Sequence, residues 1–204
     1  MPALQSLLHK IKYGDPLIIV SGLPRSGTSM AMKMLDAAGL PLVIDNIREA
    51  DTDNPKGYYE FERVKDLDKG QDNSWIRDHR GKGIKIISFL LRDLPHNCRY
   101  KVIFMRREIS EILASQAKME TNRGTENSTE DQRMRKLYED HLLQVRSMMR
   151  FRPNFEWLEV SYNQAIANPR DSASEINQFL GDPFKVEDMM GIVDQSLYRN
   201  RNRK

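Results

Sequence analysis

The chain has 204 residues, of which 39% are hydrophobic and 30% charged. These values predict a single soluble domain over residues 1–204 with a core of its own. No apolar run approaches the roughly 20 residues of a membrane span. The net charge of +3 is too small to indicate nucleic-acid binding. The one cysteine, Cys98, allows no internal disulfide, which indicates a reducing compartment, so we expect a cytoplasmic protein.

Apolar runs and helical periodicities, taken in chain order, alternate strand with helix. The predicted strands are Leu17–Val20, Ile84–Ser88, Lys101–Met105 and Trp157–Val160. The predicted helices are Met30–Ala38, Glu60–Lys69, Ser110–Met119, Glu130–Arg150 and Asp171–Leu180. This alternation predicts an α/β fold, a P-loop-like three-layer sandwich whose central parallel sheet is covered on both faces. The first strand is expected in the middle of that sheet.

The segment Ser21–Ser29 joins the first strand to the first helix and has the spacing of a phosphate-binding loop. In such a loop the backbone N–H groups and the helix N-terminus point at one anion. Gly22 and Gly27 match the two glycines of a Walker A loop, GxxxxGK[ST], but Thr28 stands where that loop has lysine. The cation lies inside the loop instead, at Arg25. This departure argues against an ordinary ATPase or GTPase.

A second group of polar residues follows the strand Lys101–Met105. Arg106 and Arg107 come directly after it, and Ser115 lies eight residues beyond Arg107 on the next helix. An arginine at the carboxyl end of a parallel strand lies where α/β folds bind ligands, and its planar guanidinium suits a phosphate. By themselves, arginines near strand ends are often surface ion pairs, and a serine at such a position is more often an ordinary helical residue.

Together the two segments resemble the motifs of PAPS-dependent sulfotransferases. These enzymes carry a 5′-phosphosulfate loop, [KR]SGT[TS], and later a 3′-phosphate motif, R-x7-S. Pro24–Ser29 and Arg107–Ser115 match them in order and in context. The arginine form of the loop is similar to that of bacterial and tyrosylprotein sulfotransferases. Lys85 resembles the family's strand lysine, and Leu158–Pro169 resembles its late stretch, so the resemblance spans about residues 17 to 181.

The resemblance implies a donor, 3′-phosphoadenosine 5′-phosphosulfate (PAPS), which becomes 3′-phosphoadenosine 5′-phosphate (PAP). The sulfuryl group would pass to a hydroxyl or amine of a small-molecule or carbohydrate acceptor. Arg25 and Lys85 are the cations expected to stabilise the leaving phosphate, and fixed cations suffice for this chemistry without a metal. The residues expected to bind the donor are Pro24, Arg25, Ser26, Gly27, Thr28, Ser29, Arg107 and Ser115.

The proton acceptor is less well defined. Cytosolic members have a histidine two residues after the strand lysine, but here that position is Ile87. Bacterial-type and tyrosylprotein members use a glutamate about twenty residues after the loop, which makes Glu49 the first candidate, with Asp51 and Glu60 as alternatives. Each of these acids is otherwise an exposed loop carboxylate. His141 has apolar neighbours at helical spacing, which predicts a half-buried packing residue.

Several questions stay open at the level of sequence. The segment Gly57–Phe61 and Trp75 either line an acceptor pocket or belong to the core. The family's glycine-rich C-terminal loop is missing, which leaves Tyr198–Arg201 for an adenosine contact, and the basic residues of the tail Arg199–Lys204 are otherwise solvated surface. The competing functions are a P-loop nucleoside or sugar kinase and a non-catalytic nucleotide-binding module. The acceptor and the oligomeric state cannot be read from the chain.

Overall fold

The computed structural model describes residues 11–45, 58–121 and 130–193. The strands are β1 (Leu17–Gly22), β2 (Gly83–Lys85), β3 (Tyr100–Arg106) and β4 (Phe155–Ser161). The α-helices with defined bounds are α1 (Thr28–Ala37), α2 (Ile109–Thr121), α3 (Glu130–Phe151), α4 (Tyr162–Ala167), α5 (Pro169–Leu180) and α6 (Val186–Met190). Short 3₁₀ segments span Glu62–Asp66, Ser74–His79 and Ser88–Asp93.

The strands form one sheet in the order β2-β1-β3-β4, and all neighbours run parallel. Val20 lies opposite Lys85 on one side and Ile103 on the other. The predicted α/β fold is therefore confirmed, with β1 in the interior of the sheet. Since all four strands point the same way, the segments that follow β1, β2 and β3 meet at one carboxyl edge.

Two apolar layers cover the two faces of the sheet, because alternate residues of a strand point to opposite sides. Leu17 and Ile19 pack on one face, together with Val145 and Met149 of α3. The opposite face holds side chains from β1, β3 and β4 under helices α1, α4, α5 and α6. Its buried members include Ile18, Val20, Ile103, Val160, Met32, Leu35, Ile166, Ile176 and Met189.

Two predicted elements differ from the structure. The predicted strand Ile84–Ser88 ends at Lys85, and Ser88 already begins a 3₁₀ segment. The predicted helix Glu60–Lys69 is only a 3₁₀ segment, Glu62–Asp66. Both errors arise because apolar residues in a short segment bury equally well in a strand, a helix or a tight turn, so periodicity cannot separate them. Within the described ranges, no helix has the length and apolar character that crossing a membrane requires.

Candidate functional site

The predicted phosphate loop lies at the carboxyl edge, between β1 and α1. Gly27 forms the N-cap of α1 with a φ of 99°, and Arg25 has a φ of 67°. A Cβ at Gly27 would overlap the ring of Tyr162, which is the first residue of α4. The loop is therefore held directly against α4, and only glycine fits at that point of contact. Helix α1 begins at this loop, where the N–H groups of Met30 and Ala31 donate to the Gly27 carbonyl over 3.0 and 3.2 Å. The N–H groups that precede Met30 have no carbonyl within the helix to donate to.

Two hydroxyl groups, one near the end of β1 and one in the loop that follows it, are buried without a partner. The side-chain oxygens of Ser21 and Ser26 make no hydrogen bond with any residue that the structure describes. Ser26 itself is 1% exposed. A buried hydroxyl without a partner costs free energy of desolvation that a bound acceptor would recover. The inside of the loop therefore suits an oxyanion.

Arg25 and the second predicted motif are in direct contact. Nε of Arg25 donates a hydrogen bond to Oγ of Ser115 over 3.1 Å. NH1 of Arg107 donates to the backbone carbonyl of Arg25 over 3.2 Å. Ser115 lies on α2 and Arg107 just before it, so two segments about ninety residues apart form one cluster. This cluster brings together the loop and the R-x7-S pair that the sequence singled out.

Arg107 is also held by a buried carboxylate that the sequence analysis missed. Its Nε donates to Oε2 of Glu111 over 3.0 Å, and Asn163 donates to the other oxygen over 3.2 Å. The guanidinium lies over the ring of Tyr162, 4.5 Å from its centroid. Burial raises the pKa of the Tyr162 phenol, so that ring is neutral. The signal for Glu111 was available only as a four-residue spacing, because Arg107 precedes α2 and Glu111 lies in its first turn.

Lys85 ends β2 beside the start of α1, on the side of the sheet that carries Val20. The lysine is buried, and its Nζ donates to the backbone carbonyl of Tyr58 and forms an ion pair with Glu60 at 3.1 Å. Oγ of Ser29, in the first turn of α1, donates to the same carbonyl over 3.4 Å. The strand lysine and the loop thus share a neighbour in the segment that begins at Tyr58.

The predicted proton acceptors are only partly described. Glu49 and Asp51 lie outside the described residues, as do Tyr198–Arg201 and the rest of the basic tail. Glu60 is paired with Lys85, as given above. Ile87 is 38% exposed and offers no group that can take a proton. Within the described part of the chain, no cluster of three or more His, Cys, Asp or Glu residues is arranged to hold a metal ion.

The aromatic residues of the predicted acceptor pocket divide between core and surface. Trp75 is buried in the core and packs at a tilt against Phe61 and edge-on against His79, with ring centroids 5.6 and 5.7 Å away. The core alternative for Trp75 is therefore the one the structure favours. Tyr59 donates a hydrogen bond to Asp36 over 3.1 Å. Burial and this bond raise the pKa of Tyr59 to about 12, so its phenol is protonated and is not a base at neutral pH.

A histidine that the sequence predicted to be a packing residue has a polar partner near the same edge. Nε2 of His141, on α3, lies 2.8 Å from Oγ of Ser88. The imidazole stacks on Phe89 with ring centroids 3.8 Å apart. Burial, reinforced by Arg92, lowers the pKa of His141 below its ordinary value of 6.5. Fifty-three residues separate the partners, so no local pattern predicts the pair.

Comparison with known proteins agrees with this geometry. The family model of the sulfotransferase domain matches residues 15–203. The chain belongs to the sulfotransferase family. A solved structure, the sulfotransferase domain from the curacin biosynthetic pathway, aligns with a TM-score of 0.51 and 16% sequence identity. The alignment covers 88% of this chain and 78% of that one, and it shows a shared fold. A search of curated proteins finds no match.

Membership of this family makes the protein a transferase of sulfuryl groups. Sulfuryl transfer needs an anion site for the leaving group and fixed positive charge near the reacting atoms. In this sulfotransferase hydrogen bonds at the carboxyl edge join Arg25, Arg107 and Ser115, and Lys85 shares the Tyr58 carbonyl with Ser29 of α1. Each of the two cations Lys85 and Arg107 is paired with a carboxylate, which the sequence analysis did not foresee.

Proposed function

We propose that this protein transfers the sulfuryl group of PAPS to a hydroxyl or amine of a small-molecule or carbohydrate acceptor. The observation that carries the proposal is the contact between Arg25 and Ser115, supported by the bond from Arg107 to the Arg25 carbonyl. A loop that binds the 5′ side of a nucleotide and an Arg–Ser pair that binds a 3′-phosphate have to be neighbours if one nucleotide is to reach both. Their contact meets this requirement.

The residues present fit such a donor. Ser26 carries a buried hydroxyl inside the loop that has no partner among the described residues. At Gly27 the backbone lies so close to Tyr162 that no side chain fits between them. Pro24, Arg25, Ser26, Gly27, Thr28 and Ser29 would hold the 5′-phosphosulfate, while Arg107 and Ser115 would hold the 3′-phosphate. Arginine suits this second role because its planar guanidinium binds phosphate with two parallel hydrogen bonds.

The bound donor supplies a sulfuryl group on an anhydride oxygen whose bond to sulfur breaks during transfer. Arg25 and Lys85 would stabilise the negative charge that develops on the leaving phosphate. Lys85 is suited to this role because it is buried, and water screens a buried charge less than an exposed one. Lys85 is bound to the Glu60 carboxylate and the Tyr58 carbonyl. To bind the donor, it has to give up these two contacts.

The proton of the acceptor needs a destination on the protein. Glu49 remains the first candidate from sequence, with Asp51 and Glu60 as alternatives. Of these three, Glu60 is the one whose side chain is described, 3.1 Å from Lys85. The single-domain organisation over residues 1–204 and the cytoplasmic location are part of the same proposal.

Turnover of PAPS tests the proposed function. We expect the wild-type protein to release PAP and to sulfate at least one member of a panel of phenols, alcohols, amines and sugars, with or without magnesium. Lys85→Met should lower turnover by roughly 10²–10³-fold, as removal of one charge-stabilising donor does in other enzymes. Lys101→Met is the matched control. Lys101 is also a strand lysine, but its Nζ donates to the backbone carbonyl of Phe179 on α5 and it is not one of the predicted site residues. Phosphate transfer from ATP, with no transfer from PAPS, would overturn the proposal.

A further inference from the structure

We propose that His141, oriented by Ser88, accepts the proton of the sulfuryl acceptor. The inference rests on the proposed function and identifies a group that the motifs do not contain. Ser88 is a positioning residue in this account, because it acts through the imidazole. Three observations carry the proposal: the Ser88–His141 hydrogen bond, the flat stacking of the ring, and the location of both at the carboxyl edge of the sheet.

The location follows from the strand register. Lys85 pairs with Val20, and the N–H of Ile86 donates to the Val20 carbonyl over 3.0 Å. Ser88 follows two residues later, and β1 continues past Val20 into Gly22 and the phosphate loop. Ser88 therefore leaves the sheet on the same edge as that loop. Helix α3 brings His141 to this edge from a distant part of the chain.

Side-chain packing connects the histidine to the donor site. Phe89, on which the imidazole stacks, packs against a buried cluster that contains Leu23 of the phosphate loop and Ile112 of α2. Ile112 lies one turn before Ser115 on the same helix. One aromatic side chain thus separates His141 from a cluster that contains part of the loop and part of the helix carrying the 3′-phosphate serine.

Burial and Arg92 favour the neutral imidazole, and the Ser88 hydroxyl can pair with the tautomer that carries its proton on Nε2. When Ser88 accepts a hydrogen bond from Nε2–H, the lone pair of a neutral imidazole lies on Nδ1. Nδ1 makes no hydrogen bond with the described residues. The charged group that lowers the pKa of the ring is Arg92, from the 3₁₀ segment that also provides Ser88 and Phe89. Tyr138, one turn earlier on α3, accepts a hydrogen bond from Gln116. A cation nearby and partial burial both disfavour imidazolium, so the base is available at neutral pH.

Bonds and protons balance in the proposed transfer. The acceptor's oxygen or nitrogen forms a bond to sulfur, and the bond from sulfur to the bridging oxygen breaks. The electron pair of that bond stays on the leaving 5′-phosphate, near Arg25 and Lys85. The acceptor's proton passes to Nδ1 of His141, and imidazolium then releases it to water. A base with a pKa near or below the working pH can complete this cycle without a cofactor.

The first test uses the intact wild-type protein and PAP as the probe. NMR of the histidine side chains, recorded as a pH titration with and without saturating PAP, measures the pKa of each imidazole. We expect the two phosphates of PAP to raise the pKa of His141 by about half a unit or more. Exposed His96 is the matched control and should not move. Binding of PAP without any change at His141 would overturn the inference, whereas failure of PAP to bind would overturn the proposed function itself.

The second test measures turnover of PAPS with the best acceptor of the panel. His141→Gln keeps a hydrogen-bond donor for Ser88 but cannot take a proton, so kcat should fall roughly 10²–10⁴-fold with unchanged PAP affinity. In His141→Gln, the fall of kcat at acidic pH that we expect of the wild type should also disappear. Ser88→Ala should lower kcat by a smaller factor, and His96→Gln should leave it unchanged. Wild-type turnover in His141→Gln, with a large loss in Glu49→Gln, Asp51→Asn or Glu60→Gln, would assign the proton to that carboxylate instead.

Discussion

Arg106 and Arg107 are adjacent in sequence but have opposite surroundings. Arg106 is 50% exposed and pairs with Glu159, a carboxylate that Arg146 also binds. Arg107 is buried with Glu111, and both side chains are less than 10% exposed. Removing one member of a buried ion pair leaves an uncompensated charge, whereas an exposed pair contributes little. The two positions therefore form a natural pair of test and control.

We expect Arg107→Ala to destabilise the protein by about 3–5 kcal/mol, because it leaves the Glu111 carboxylate buried and unpaired. Arg106→Ala should cost less than about 1 kcal/mol, because Glu159 keeps Arg146. Unfolding in urea, followed by circular dichroism, measures both. Equal losses in the two variants would mean that the Arg107–Glu111 pair is not the buried interaction described here.

Individual residues of the site were predictable only where a motif or a helical spacing linked them. The resemblance assigned Arg25, Arg107 and Ser115 to one ligand, although Arg25 and Ser115 are 90 residues apart. The Ser88–His141 bond could not be predicted, because it depends on how α3 lies against the sheet. Tertiary packing, which a single sequence does not display, decides contacts of this kind.

Helix α1 begins where the loop touches α4, and this contact restricts which residue can precede the helix. Gly27 adopts a left-handed φ, and a Cβ there would overlap the Tyr162 ring. Gly39, just beyond the end of α1, has a similar φ of 84° but nothing within 4 Å of a Cβ. Alanine at Gly39 therefore suffers only the backbone strain of about 1–2 kcal/mol. Alanine at Gly27 suffers that strain and the overlap.

We expect Gly27→Ala to lower PAP affinity at least tenfold, since relief of the overlap displaces the start of α1 or Tyr162, which lies under Arg107. Gly39→Ala should lose a comparable amount of backbone stability yet bind PAP as the wild type does. Isothermal titration of both variants makes the comparison. Unchanged binding by Gly27→Ala would show that the loop does not depend on its contact with α4.

At the scale of elements, long segments were predicted better than short ones. The predicted helix Glu130–Arg150 is α3 with one residue added at its end, because many turns of periodicity define it. The strand Ile84–Ser88 was predicted too long, because Ile86 and Ile87 are as apolar in a 3₁₀ turn as in a strand. That error placed Ser88 inside the sheet and hid the turn that brings it to His141.

The stability of the whole molecule should depend on pH through two partly buried histidines. Burial, together with nearby cations, lowers the pKa of both His79 and His141 in the folded state. The unfolded chain therefore takes up these protons first on acidification. The two histidines contribute their full stability above pH 6.5, which is the ordinary pKa of histidine. That stability is lost as the pH falls from there through the lower pKa of the folded state.

We expect the urea concentration at the unfolding midpoint to decrease as the pH is lowered from about 7.5 to about 5.5. This decrease should be smaller in His79→Gln and in His141→Gln. His96→Gln, which changes an exposed imidazole, should retain the full dependence. A midpoint that is constant over this range, or one that rises on acidification, would contradict the directions given for the two pKa values.

The measurement closest to the central claim is the affinity of the protein for PAP compared with adenosine 5′-phosphate and ATP. Isothermal titration, with and without magnesium, should show PAP bound at least tenfold more tightly than adenosine 5′-phosphate. A charge-assisted hydrogen bond to a phosphate contributes about 1.5–3 kcal/mol. The double variant Arg107→Gln/Glu111→Gln removes both buried charges together and should lose this preference while still binding the 5′ side. Equal affinity of the wild type for PAP and adenosine 5′-phosphate, or tighter binding of ATP with magnesium, would contradict the account.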